Sequence, residues 1–192
     1  MLVAPEDREK NREKLRQKRA NNGRNGDNQL AVEAILQTAC TGLFESYDAT
    51  LSHSDKASPE SSLAACGIMG FTGNDVRGTI TLALDGQTLE HVTPGTGSPI
   101  EWLGEFMNQL LGRFKNRLLR RGIVVHVAMP MVMDCEDCRP PAEGKTNSLA
   151  FKSSSGDVFA WIEVRFGAGV VVPSEDIELA EAVAEEGDTL MF

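Results

Sequence analysis

Apolar residues recur at three- and four-residue steps through Leu30, Val32, Ile35, Leu36, Ala39, Leu43 and Phe44. That spacing predicts an amphipathic helix over 29–48. Asp27 or Asn28 is placed to cap its start, since a short polar side chain can accept from an otherwise unpaired helix N–H. The pattern then breaks. Residues 51–62 are rich in Ser, include a Pro and read as a loop. From 63 the period shortens to two: stretches 63–71 and 76–84 read as strands joined by Thr72-Gly73-Asn74-Asp75, a sequence suited to a hairpin turn. Thr79, Thr81 and Ala83 alternate with Ile80, Leu82 and Leu84, as in a sheet with one buried face.

A Gly- and Pro-containing connector, 85–99, leads to the strongest helical pattern in the chain. Leu103, Phe106, Met107, Leu110, Leu111, Phe114 and Leu118 form one apolar face. Beyond Gly122, residues 123–133 are rich in Val and Met and read as a strand that Pro130 interrupts, which marks an edge or a bulge. A loop at 134–146 precedes a last hairpin, 147–153 and 157–172, turning at Ser154-Ser155-Gly156. Hairpin-type pairing beside two long helices makes the fold α+β, not a succession of βαβ units.

The ends of the chain differ in composition. Residues 1–27 are highly charged, finish in Asn/Gly-rich sequence and hold few large apolar groups, so they read as a mobile charged tail or a fraying helix. The body occupies 28–172. Residues 173–192 carry seven acidic side chains and no basic one, with a short apolar stripe (Ile177, Ala180, Val183) that suits one more helix.

Charge narrows the function. The chain has 19 Lys and Arg against 28 Asp and Glu, a net charge of −9, and its basic residues concentrate in the N-terminal stretch. An acidic body argues against nucleic acid as a partner, because phosphate backbones are gripped by clustered Lys and Arg. No apolar run is long enough to insert in a membrane, and the chain opens on charge where a secretory signal would be apolar. The expected location is cytoplasmic. The four cysteines, Cys40, Cys66, Cys135 and Cys138, are then expected as thiols. Cys135-Glu136-Asp137-Cys138 has metal or redox spacing, yet no second close-spaced Cys/His pair completes a four-ligand zinc site. Thiols in an acidic loop are the default there, with a redox or metal protein as a distant alternative.

On the second helix Glu101, Glu105, Asn108 and Gly112 fall on one stripe away from the apolar face, each above the last. Gly112 sits mid-helix, where glycine costs about 1 kcal/mol relative to alanine, so close packing against a neighbour is its expected reason. Asn108 also carries a helix-propensity cost without a cap to explain it. A Glu-x-x-Asn spacing is expected about once by composition alone, so context must give it meaning.

That context is a resemblance. Glu105-x-x-Asn108-x-x-x-Gly112 resembles the signature helix of the CheC/CheX/FliY chemotaxis phosphatases. Cys66-Gly67-Ile68-Met69-Gly70-Phe71-Thr72-Gly73 with Val76-Arg77-Gly78-Thr79-Ile80 looks like the family's first hairpin, and Ala128-Met129-Pro130-Met131-Val132 like its Pro-bearing strand. Only one Glu-x-x-Asn is present, which resembles the single-site CheX branch. Glu101 departs from the Asp or Ser that the family often has four residues before the motif's Glu, and the connector looks less helical than the family's. The resemblance implies a largely antiparallel sheet with two long helices on one face. It implies hydrolysis of the phospho-aspartate of a CheY-like receiver domain. Glu105 would contact the receiver's lysine and Asn108 would position the attacking water. No cofactor is implied on this chain; Mg²⁺ is expected in the receiver's own site. A homodimer paired through sheet edges is implied as well. The alternative is a CheX-like module that binds a receiver without hydrolysing anything.

Overall fold

The computed structural model describes residues 5–54, 63–95, 97–135 and 147–175, with the backbone alone at 5–22 and 147–148. The first helix, α1 (Pro5–Glu45), begins well before the expected cap at Asp27 or Asn28. Its early turns are rich in Glu, Lys, Arg, Gln and Leu, residues that lose little side-chain freedom in a helix, and this outweighs the Asn/Gly stretch that argues for a break. The buried stripe is formed by Val32, Ile35, Leu36, Ala39, Cys40, Leu43 and Phe44. Leu30, expected on that stripe, is 66% exposed, and Asn28 is buried in its place at 2%. At 100° per residue, Asn28 falls one turn below Val32, whereas Leu30 lies on the far side of the helix.

Seven strands form one antiparallel sheet: β1 (Ser52–Ser54), β2 (Leu63–Thr72), β3 (Val76–Asp85), β4 (His126–Val127), β5 (Met131–Asp134), β6 (Asn147–Lys152) and β7 (Asp157–Phe166). Their order is β1-β6-β7-β3-β2-β4, with β5 also paired to β2. The β2–β3 hairpin closes where expected, with Gly73 N–H donating to the Val76 carbonyl at 2.8 Å. The strand expected over 123–133 is split: β4 pairs with Phe71 and Thr72, β5 with residues 65–68, and Pro130, which has no N–H to give, lies in the gap. Two expectations fail at the other edge and at the end. The loop expected over 51–62 holds the short edge strand β1, and β7 stops at Phe166, short of Val172.

Chain 85–99, expected to be irregular, contains a helix, α2 (Gly86–Val92). Its cap is the Asp85 carboxylate, which accepts from Thr88 N–H at 2.8 Å and from Asp157 N–H at 2.6 Å. An Asp before a Gly-Gln-Thr-Leu run is a legible cap, but the surrounding Gly and Pro hide it. The second long helix, α3 (Pro99–Arg120), lies beside α1 on one face of the sheet. Met69, Phe71, Ile80, Leu82, Leu84, Val158, Ala160 and Ile162 point from the strands into this main core. A smaller buried cluster, Leu63, Cys66, Ala83, Cys135, Ala150 and Phe159, includes the oppositely directed side chains of the same strands. The helix expected past Pro173 falls on residues 176–192, outside the described part.

Candidate functional site

Helix α3 is firmly bounded. Ser98 precedes it as cap, and Pro99, whose fixed φ suits the first turn, comes next. At the other end Gly122 takes φ +75°, its N–H reaches Leu119 O at 2.8 Å, and Ile123 N–H reaches Leu118 O at 3.0 Å. These paired bonds close the last turn and leave Ile123 buried beside Leu118. All seven apolar side chains predicted to face inward are buried.

The depth of α3 is set by a glycine. A Cβ on Gly67 of β2 would stand 2.4 Å from Cγ of Met107, so any larger residue would force Met107 or the helix itself to move. The rotation of α3 is held by the turn that follows α1. Tyr47 packs its ring against Phe106, centroids 5.2 Å apart, and against Trp102 at 6.0 Å, while Arg113 Nη2 donates to the Ser46 hydroxyl at 3.4 Å. With both degrees of freedom fixed, Glu101, Glu105 and Asn108 are exposed on the outer side.

Glu105 and Asn108 therefore stand one turn apart on a rigid element, facing outward. Neither side chain has a hydrogen bond or ion pair among the described residues. Glu105 and Glu101 also border a hollow of about 280 Å³, with Trp102 and Ser98 among its other walls. This hollow is not legible in the sequence, because it depends on how the α2–α3 connector folds back. The neutral amide of Asn108 can accept one hydrogen bond and donate another, and a free carboxylate one turn away can take a cation from outside.

Gly112 overturns one expectation. A Cβ there would meet no atom within 4 Å, so no packed neighbour among the described residues requires glycine at that position. Cys135 is buried at 1% exposure, its N–H donating to Ala64 O and to its neighbour's carboxylate, Asp134 Oδ1, at 2.9 Å each. Cys138 lies outside the described residues. No helix among the described residues is long and apolar enough to cross a membrane.

No protein-family model matches the chain. No curated protein matches it either. Solved structures do. The chemotaxis protein CheX from Vibrio vulnificus superposes with a TM-score of 0.58 at 18% identity, over 69% of this chain and 95% of that one. CheX from Desulfovibrio desulfuricans gives 0.58 at 15% identity, over 70% and 99%. The CheX–CheY–BeF3–Mg²⁺ complex from Borrelia burgdorferi gives 0.53 at 14% identity, over 69% and 96%. Each of these chains is matched along nearly its whole length, so the likeness extends to the entire α+β unit: the chain has the CheC/CheX-like fold.

Proposed function

We propose that the chain binds a CheY-like receiver domain in a chemotaxis or two-component pathway and hydrolyses its phospho-aspartate. The observation that carries this is the pair Glu105 and Asn108, exposed and without a hydrogen bond or ion pair among the described residues, on a helix seated against the sheet and α1. It is supported by the fold shared with a protein solved in complex with CheY, BeF3 and Mg²⁺.

Phosphoryl transfer asks for positioning and charge balance more than covalent chemistry from the protein. Asn108 accepts a hydrogen bond from the attacking water and holds it in line with the phosphorus. Because its amide is neutral, it can stand beside the phosphoryl oxygens where a carboxylate would be repelled. Glu105 contacts the receiver's lysine through a charge-assisted bond and so orients α3 in the partner's site. The Mg²⁺ of the receiver supplies charge balance on the phosphoryl oxygens. This chain needs no nucleophile or cofactor of its own in that scheme. A homodimer belongs to the same proposal: β5 is paired only to β2 among the described residues, and Met131 on it is 64% exposed.

The test is the lifetime of the phosphorylated receivers of the host, with and without the purified chain. Shortened lifetime for one receiver, lost in Asn108→Ala while the circular dichroism spectrum and Tm hold, supports the proposal. Unchanged lifetimes for every receiver end the enzyme reading. Binding to a receiver without any change in lifetime selects a non-catalytic module.

A further inference from the structure

The stripe of α3 that carries Glu105 and Asn108 continues to Gly112, a half-buried glycine that no neighbour among the described residues explains. Gly112 lies at the middle of a 22-residue helix with nothing within 4 Å of a Cβ built on it. Its φ is not positive, so alanine would fit both the space and the backbone. Glycine in a helix interior costs stability relative to alanine, because it gains no packing and loses more freedom on folding. Gly67 shows the contrast, since there the neighbouring helix occupies the space a side chain would need. At Gly112 that cost is kept with no packing benefit among the described residues.

A second observation concerns charge. Before Gly112, α3 carries Glu101 and Glu105; after it come Arg113, Lys115, Arg117 and Arg120 with no acidic residue, in a chain of net charge −9. Arg113 is engaged with Ser46. Lys115 has no hydrogen bond or ion pair among the described residues. Seven residues beyond Asn108, it lies two turns above it on the same stripe.

We propose that Gly112 and Lys115 extend the partner-contact surface toward the helix C-terminus, a proposal that rests on the receiver-binding function above. Gly112 leaves a stretch of α3 without side chains, against which the main chain of the receiver closes. Lys115 meets an anionic group on the phosphorylated partner. Both are positioning residues: they set how closely Asn108 approaches the phosphoryl group and do not touch the reacting atoms.

The experiment uses the full chain and the receiver whose dephosphorylation it accelerates. Gly112→Ala should raise Tm by roughly 2–4 °C, the usual response to one helix-propensity gain in a chain of this size. The same variant should bind that receiver at least tenfold more weakly. Lys115→Gln should weaken binding and reduce its dependence on salt, with Tm unchanged. Asn108→Ala serves as the control for the underlying function, losing hydrolysis while retaining binding. If Gly112→Ala binds within twofold of wild type, or lowers Tm, the proposal is overturned and the function stands. If wild type neither binds nor dephosphorylates any receiver, both fall together.

Discussion

The Tyr47 hydroxyl lies 2.9 Å from Nε2 of Gln109, which donates to it, and so joins the end of α1 to the turn of α3 that carries Asn108. The same ring rests on Phe106 and Trp102. Two contributions can be separated by substitution. Tyr47→Phe removes only an exposed hydrogen bond and should cost under about 1 kcal/mol. Tyr47→Ala also removes the ring contacts and should cost about 2 kcal/mol, less than a fully buried aromatic because Tyr47 is half-buried. Urea denaturation of both variants checks the difference; equal losses would mean that the ring contacts contribute nothing.

Stability and function should separate at the proposed site. Asn108 and Glu105 are exposed and make no bond within the described chain. Asn108→Ala therefore should leave the folded chain as stable as wild type or more so by about 0.5 kcal/mol, since alanine is the better helix former. Glu105→Gln should not move Tm either, but should weaken receiver association by about tenfold, the loss of one charge-assisted contact of roughly 1.4 kcal/mol. A clear drop in Tm for either variant would assign these side chains a structural task within the chain.

The seat of α3 on the sheet makes a sharper prediction. Gly67→Ala forces a Cβ to within 2.4 Å of Met107 Cγ and 3.0 Å of its Sδ. Overpacking of this size costs about 1–3 kcal/mol. Met107→Ala vacates the same space, so the double variant should be less destabilised than the sum of the two single ones. A double-mutant cycle reads this as a coupling of about 0.5 kcal/mol or more. Simple additivity would show that the helix shifts freely and that Gly67 does not fix its depth.

Much of this arrangement is legible from periodicity, and the rest is not for identifiable reasons. The inward face of α3 and the β2–β3 hairpin follow from repeats of 3.6 and 2 that tertiary contacts reinforce. The beginning of α1 escapes the pattern because Asn21-Asn22-Gly23 reads as a breaker, yet local propensity on either side carries the helix through. Buried Asn28 passes for a cap because sequence shows only that it is polar, not that a segment 142 residues away bonds to it. Gly112 misleads for the same kind of reason: a glycine announces missing volume without saying whose. Glu105 and Asn108 stand out through resemblance, while the hollow beside Glu105 depends on long-range folding of the connector.

The Asn28 contact gives a prediction of its own. Its Nδ2 donates to Val170 O at 2.9 Å and its Oδ1 accepts from Val172 N–H at 2.8 Å, which fastens the segment after β7 to α1. Asn28→Ala leaves a buried N–H and a carbonyl without partners and should cost about 2–4 kcal/mol. Asn28→Asp keeps the acceptor for Val172 but turns an oxygen toward the Val170 carbonyl and buries a charge, so at neutral pH it should be at least as damaging. Thermal unfolding of the two variants decides the matter. Wild-type stability in Asn28→Asp would show that the segment is not held through this side chain.

Cys40 supplies a pH dependence. It is fully buried in the stripe that α1 turns to the core, and burial pushes its thiol from 9.0 up to about 12, because the thiolate loses its hydration there. Below pH 9 the thiol is protonated in both folded and unfolded chains and exerts no pull on the equilibrium. Between pH 9 and 12 the unfolded chain releases the proton and the folded chain keeps it. Stability is thus fully present below 9 and falls as pH rises through that window, by about 1.4 kcal/mol per pH unit at the steepest. Other groups titrate over the same range, so the informative quantity is the difference between wild type and Cys40→Ala. The variant should be less stable at about pH 8, by about 1 kcal/mol for the small cavity it leaves. The gap should then narrow and reverse as the pH approaches about 11. Urea midpoints at intervals from about pH 8 to about 11 measure it, and curves that remain parallel throughout would show that the Cys40 thiolate is hydrated in the folded chain.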